Sequence, residues 1–171
     1  NRLSLGNSFE SGESITLGLN FKKEKVNADS KIDKIEEYID FKLASVFRLD
    51  EEKNIPTNST LNKKNSNIFG RFNFKPTKNI TLGYNFSLTD DLNTLEYNSL
   101  ITTMEFGNFI TQFDYLEERG VVGSTNIIEN TTKYNFDGQN SISFNTRKNR
   151  KLDLTEYYDL VYEYKNDCLV A

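Results

Sequence analysis

The chain has 171 residues, 36% of them hydrophobic, and a net charge of −4 from 21 basic and 25 acidic side chains spread along its length. That is enough for one ordinary domain, but the apolar content is low for a deep globular core. The absence of histidine and the single cysteine exclude a Ser-His-Asp or Cys-His relay and the usual zinc sites; no basic stripe points to nucleic acid, and no apolar run approaches the ~18 residues of a membrane-crossing helix.

The pattern that remains is alternation. Side chains of a strand point to opposite faces in turn, so an apolar residue at every second position marks one apolar face. After a Gly/Ser turn region at 7–14, Ile15, Leu17, Leu19 and Phe21 alternate with Thr16, Gly18 and Asn20, predicting a strand over 13–23. A charged stretch at 25–36 separates it from the next, in which Ile39, Phe41, Leu43, Phe47 and Leu49 oppose Asp40, Lys42, Ala44 and Arg48. A long polar loop, 50–66, contains Pro56. Ile68, Gly70, Phe72 and Phe74 then oppose Arg71, Asn73 and Lys75, and Pro76-Thr77-Lys78-Asn79 reads as a tight turn. The cleanest strand follows at 80–89, with Ile80, Leu82, Tyr84, Phe86 and Leu88 on one face.

Asp90-Asp91 turns the chain. Over 93–106 the apolar phase slips from Leu95 and Tyr97 to Leu100, Met104 and Phe106, which predicts a β-bulge near Asn98-Ser99. Gly107-Asn108 is a hairpin turn. Phe109, Phe113 and Tyr115 share a face in the next strand, and 118–125 reads as a loop holding Gly120 and Gly123. Ile128, Tyr134 and Phe136 are in phase in a weakly patterned strand that ends at the hairpin signal Asp137-Gly138. Ile142 and Phe144 mark a strand at 141–147, and 148–153 is a charged loop. In the last strand Tyr158, Leu160, Tyr162 and Tyr164 face one way and Tyr157, Asp159, Val161 and Glu163 the other. Lys165-Asn166-Asp167 then turns into Cys168. That makes about nine strands, with a tenth starting at Cys168.

Strands of about 9–11 residues are long enough to cross a bilayer at a tilt. Counting back from the cysteine, every second connection is short (165–167, 137–140, 107–108, 76–79), and those between are mostly longer. Outer-membrane barrels show this asymmetry, with short periplasmic turns and longer external loops. The connection at 25–35 departs from it, being long where parity asks for a short one. The expected fold is all-β: an antiparallel up-and-down transmembrane β-barrel segment of about nine to ten strands, an incomplete barrel spanning residues 1–171. A soluble β-sandwich also alternates, but needs neither such uniform strands nor this loop parity. Asn1-Arg2-Leu3-Ser4 reads as structured chain rather than a signal peptide, and Leu169-Val170-Ala171 stops at the start of a strand, so the chain is expected to be an internal piece of a longer one.

The charged residues on the face opposite the aromatics are the candidates for a wet lumen: Arg48, Arg71, Asp114, Arg147, Asp159 and Glu163, with Asp40, Lys42, Lys75 and Lys133 beside them. Mixed signs suit a polar headgroup or a polar plug; a solvated face explains any one of them equally well. Tyr84, Tyr97, Tyr115, Tyr158, Tyr162 and Tyr164 suit interfacial girdles or ordinary cross-strand packing. The carboxylate pairs Asp90-Asp91, Glu117-Glu118 and Glu36-Glu37 fall in or beside loops and read as surface rather than general acid–base groups. No catalytic residue, cofactor or metal site is expected. Cys168 on its own reads either as a disulfide partner for a distant segment in an oxidising compartment or as an unpaired small apolar residue.

Three stretches resemble the LptD (OstA) family of LPS-assembly proteins. NRLSLGNSFESGESITLGLNF at the N-terminus is similar to a segment of that family's barrel; Val46-Phe47-Arg48, followed by Pro56, Leu61, Lys64 and Ser66, resembles its strand-loop-strand passage; and Tyr162 to Cys168, YEYKNDC, resembles its C-terminal signature. The resemblance implies a non-enzymatic translocon of the Gram-negative outer membrane that inserts lipopolysaccharide into the outer leaflet. It implies an N-terminal periplasmic domain and final barrel strands beyond this chain, periplasmic Lpt bridge proteins and an LptE-like plug lipoprotein as partners, and membrane lipid around the wall. It also implies that Cys168 forms a disulfide with the N-terminal domain. Another outer-membrane barrel, a porin or receptor, and a soluble adhesive β-domain are the alternatives; an outer-membrane hydrolase would need a histidine or an acid–base pair in the wall.

Overall fold

The structure, a computed structural model, describes residues 12–27, 34–55, 60–120 and 123–165. Among the described residues it is a single antiparallel sheet of nine strands in sequence order, each bonded to the next. The strands are β1 (Ser14–Asn27), β2 (Lys34–Arg48), β3 (Ile68–Thr77), β4 (Ile80–Leu88), β5 (Leu95–Phe106), β6 (Phe109–Gly120), β7 (Gly123–Asn135), β8 (Asn140–Asn149) and β9 (Leu154–Tyr164). The up-and-down order has no crossover and leaves the sheet open, as one arc of an incomplete barrel. The expected tenth strand and Cys168 lie outside the described residues.

Several strands are longer than their apolar cores. β2 has 15 residues where β4 has nine. The charged stretch beginning at Lys25 belongs partly to strands: Lys25 faces Glu37 across the β1–β2 ladder, and their side chains meet at 3.0 Å. The segment 118–125, expected as a loop, is strand on both sides of 121–122. Glu118 pairs with Thr125, Arg119 with Ser124 and Gly120 with Gly123. Charge and glycine suggested a loop there, but a ladder extends wherever backbone groups find partners and the side chains stay wet.

The connections are closed by specific chemistry. Gly107, at φ 60°, supplies the positive φ of the two-residue turn between β5 and β6. Between β7 and β8 the connection is 136–139, and the Asp137 carboxylate closes it by accepting from the Gln139 and Asn140 N–H groups at 2.8 and 2.6 Å. Asp91 does the same in the 89–94 turn, accepting from Thr89 Oγ1 and the Asn93 N–H. Pro76 lacks a donor, and the β3–β4 register is irregular between Phe74 and Thr77. The phase slip in β5 is a bulge: Leu88 pairs with Leu95 and Ser87 with Tyr97, leaving Glu96 as the extra residue. It lies slightly upstream of the expected Asn98-Ser99.

Candidate functional site

Residues paired across an antiparallel ladder share a face, so the register assigns every strand position to one of two sides. Phe21, Phe41, Phe72, Tyr84, Leu100, Tyr115 and Ile128 form one continuous row across seven strands. A second row, Phe106, Phe109, Tyr134, Ile142 and Tyr162, lies near the turns at 107–108 and 136–139. The rings contact each other, edge-on for Phe41 and Phe72 and stacked for Tyr84 with Phe86. No second layer covers this side among the described residues. Leu17 and Leu19 on β1 and Leu160 and Tyr162 on β9 keep more than half of their surface open. Ile127 is the one buried hydrophobic residue among those described. A continuous apolar face of this extent marks a contact with something apolar.

The apolar band is not parallel to the ladder. On β1 its lower edge is Phe21, with Lys23 next below. The Phe21 row reaches Lys148 on β8, where the lower edge of the band lies six residues further along at Ile142. The upper edge moves the same way, through Ile15 on β1, Leu88 on β4, Tyr115 on β6 and Phe144 on β8. The lower edge shifts by about one residue per strand and the upper edge by more, so the band narrows towards β8. With ~3.4 Å per residue and ~4.8 Å between strands, the lower edge puts the strands at roughly 30–35° from the normal of the band, near the tilt of closed barrels. On β4 the band runs from Ile80 to Leu88, which at that tilt is about 22 Å tall, close to the ~25 Å apolar band of outer-membrane barrels.

The opposite side is polar. Arg48, Arg71, Asp114, Arg147, Asp159 and Glu163 all fall on it, as do Asp40, Lys42, Lys75 and Lys133. They do not form one cluster. Arg147 sits between two carboxylates, Glu129 at 2.9 Å and Glu156 at 2.8 Å, the latter an ion pair without good hydrogen-bond alignment. Glu163 meets Lys133 at 3.1 Å and Lys165 at 3.0 Å, and Ser141 Oγ lies 3.4 Å from it. Lys133 and Glu163 stand on β7 and β9, so that pair spans the whole of β8. Asp114 accepts from Gln112 Nε2 at 2.8 Å, and Asp159 from Asn145 Nδ2 at 3.5 Å. Arg71 Nε donates to the Asn73 amide, turned to receive it, at 2.9 Å.

Arg48 differs from the rest. It is 8% exposed, and its Nε donates to the Leu61 carbonyl at 2.8 Å, so the 49–67 connection lies against it. That connection carries a 3-10 turn at Thr60–Asn62 and ends at Asn67, which donates to Ser87 Oγ at 2.9 Å and Glu96 at 2.6 Å. The candidate lumen is therefore partly covered at this end by its own chain.

Parity alone would have added Glu129 to the polar candidates, since Ile128 is apolar. Glu156 is displaced by the register shift at Arg147/Lys148, and no sequence signal announces that. Tyr97 lies on the polar side, because it pairs with Ser87 beyond the bulge; it is no part of an apolar-face girdle. Glu117, expected as loop surface, stands on the apolar side in the row Asn98–Glu117–Asn126. Among the described residues no helix is long and apolar enough to cross a membrane, which says nothing of strands, and no group of His, Cys, Asp and Glu is arranged to hold a metal ion.

The architecture is thus a wall with one apolar, uncovered side and one ion-paired, polar side. Residues 1–147 match the family model LptD: LPS transport system D. No curated protein matches the chain.

Proposed function

The chain belongs to the LptD family, LPS transport system D, and on that premise we propose that it forms part of the wall of an outer-membrane β-barrel translocon that inserts lipopolysaccharide into the outer leaflet. The observation that carries this reading is the single-layer sheet: its apolar band, about 22 Å tall on β4, is tilted against the ladder as a bilayer-crossing barrel requires. Lipid bathes that side. The polar side, with Arg71, Asp114, Arg147, Asp159 and Glu163, lines the passage for the sugar-phosphate headgroup and for an LptE-like plug lipoprotein. The wall does no chemistry; it separates two solvents. The long 49–67 connection marks the cell-surface end and the turns at 78–79, 107–108 and 136–139 the periplasmic end. Cys168, which follows β9 in the sequence, pairs with a cysteine of a periplasmic domain that receives lipid from the Lpt bridge. The cell is Gram-negative, and the barrel is completed by strands outside this chain.

Depletion of the full-length protein in its own cell tests the transport reading. Newly made lipopolysaccharide should stop reaching the cell surface and accumulate inside the outer membrane; undiminished surface delivery rejects it. The cysteine pairing is tested separately. Non-reducing electrophoresis of the full-length protein should show a mobility difference that Cys168→Ser abolishes, and an unchanged band rejects the disulfide.

A further inference from the structure

One cluster on the apolar side has no part in a lipid-facing wall. Just above Tyr115 on β6 and Ile128 on β7, Glu117 accepts from Asn98 Nδ2 at 3.0 Å, Tyr115 Oη at 3.1 Å, Asn126 Nδ2 at 3.2 Å, and Arg119 Nε and Nη2 at 3.1 and 2.9 Å. The Arg150 N–H donates to the Asn126 carbonyl at 2.8 Å, which extends this row to the start of the β8–β9 turn. Lys148, on the same side one row below, is held by Asp153 at 2.7 Å. Cations thus outnumber carboxylates along this rim: Arg119, Lys148 and Arg150 against Glu117 and Asp153. Arg150 makes no ion pair among the described residues. Asn126 Oδ1 is buried in the cluster with no donor. Directly below stand Leu100, Tyr115 and Ile128, then Phe113, with Ile128 and Phe113 substantially exposed.

Building on the wall reading above, we propose that this rim is a binding site on the outside of the barrel for the phosphorylated saccharide headgroup of an outer-leaflet glycolipid, whose acyl chains lie down the Phe113–Ile128 face. The chemistry matches part by part. A guanidinium held rigid by a carboxylate presents its remaining N–H groups to a phosphate. The unpaired Arg150 supplies the uncompensated charge. The orphan Asn126 oxygen needs a donor, which a sugar hydroxyl provides and a phosphodiester does not. The tyrosine presents an apolar ring to the chains and a polar tip to the head. The site is distinct from the polar passage, which lies on the other side of the sheet, and it would hold lipid already delivered to the leaflet.

The test uses the whole protein with its partners, reconstituted in neutral phospholipid bilayers containing either a bis-phosphorylated lipid A-type glycolipid or phosphatidylmethanol, an anionic phospholipid whose headgroup carries no hydrogen-bond donor. Bound lipid per protein is counted by native mass spectrometry. The Arg119→Gln/Arg150→Gln variant should lose about tenfold of its rim-bound glycolipid, and Asn126→Leu, which keeps both arginines, should lose glycolipid with no change in phospholipid. Lipid held in the polar passage is common to all of the proteins and cancels in the comparison. Equal glycolipid counts in wild type and both variants overturn the proposal, and so does anionic phospholipid bound as well as glycolipid, since that would be charge attraction alone. If the arginine variant does not assemble, Asn126→Leu decides. The transport reading is judged by surface delivery on depletion, so either proposal can fail without the other.

Discussion

The ring of Phe86 lies over Gly70: a Cβ built on that glycine would fall inside van der Waals distance of the ring's Cζ and both Cε atoms. The two residues face each other across the β3–β4 ladder on the apolar side. The glycine leaves a notch, and the aromatic side chain fills it from the neighbouring strand. Gly70→Ala should push the ring out and cost about 1–2 kcal/mol, within the range for overpacked contacts. Adding Phe86→Leu should recover most of that loss. Denaturant titration of the full-length barrel refolded in lipid reads both, and equal stability of Gly70→Ala and wild type would show that the ring does not depend on the notch.

The two sides of the wall should respond oppositely to charge. Leu82 lies within the apolar band on β4, and Asn85 faces the other way on the same strand. Leu82→Arg should destabilise the folded barrel by about 2–4 kcal/mol, the cost of an arginine near the bilayer midplane. Asn85→Arg should cost less than ~1 kcal/mol on a wet face. Refolding equilibria into vesicles measure both, and similar losses at the two positions would remove the assignment of lipid to the Phe72–Tyr84 side.

Acid should loosen the β7–β8 turn. The Asn140 side chain and the Gln139 and Asn140 N–H groups together hold the Asp137 carboxyl below its ordinary value. A carboxylate depressed in the folded state contributes stability above its unfolded value, about 3.9, and that contribution is lost as pH falls through the lowered folded value. The turn is fully exposed, so the consequence is local. Amide exchange at Asn140, compared with the base-catalysed trend, should accelerate below about pH 4 in wild type. Asp137→Asn should be fast at every pH, and an Asn140 amide that ignores acid in wild type would show that the carboxylate does not close the turn.

Much of this architecture was legible because one face of each strand carries nearly all of the apolar residues. The strand expected over 80–89 alternates without a break, and it runs from Ile80 to Leu88. The turn at Gly107-Asn108 was equally plain, because only a positive φ closes so short a link. What stayed hidden follows from the ladder rather than the side chains. Gly120 and Gly123 look like loop residues, yet they pair with each other at the very end of β6 and β7. Strands that rise past the apolar band into water need no pattern to continue. The Glu96 bulge was visible only as a slip in phase, and the slip did not say which residue was extra. Parity puts the polar candidates on one face, and the ladder also keeps them together on one face. Their partners were not, since Arg147 joins Glu129 and Glu156 from two different strands, and the Arg48 contact with Leu61 depends on how a long connection folds back.

A wall with Ile127 as its only buried hydrophobic side chain among the described residues has no dry centre to hold it at a fixed level. Its vertical position is set by the surrounding medium. Because the hydrocarbon-facing span on β4 is about 22 Å tall, a thicker leaflet pair would have to pinch inward around it and a thinner one would leave aromatic rings stranded at the rim, each at a fraction of a kcal/mol per Å. The same chain would therefore gain or lose stability as its host changes acyl length, with no contact inside the sheet altered at all.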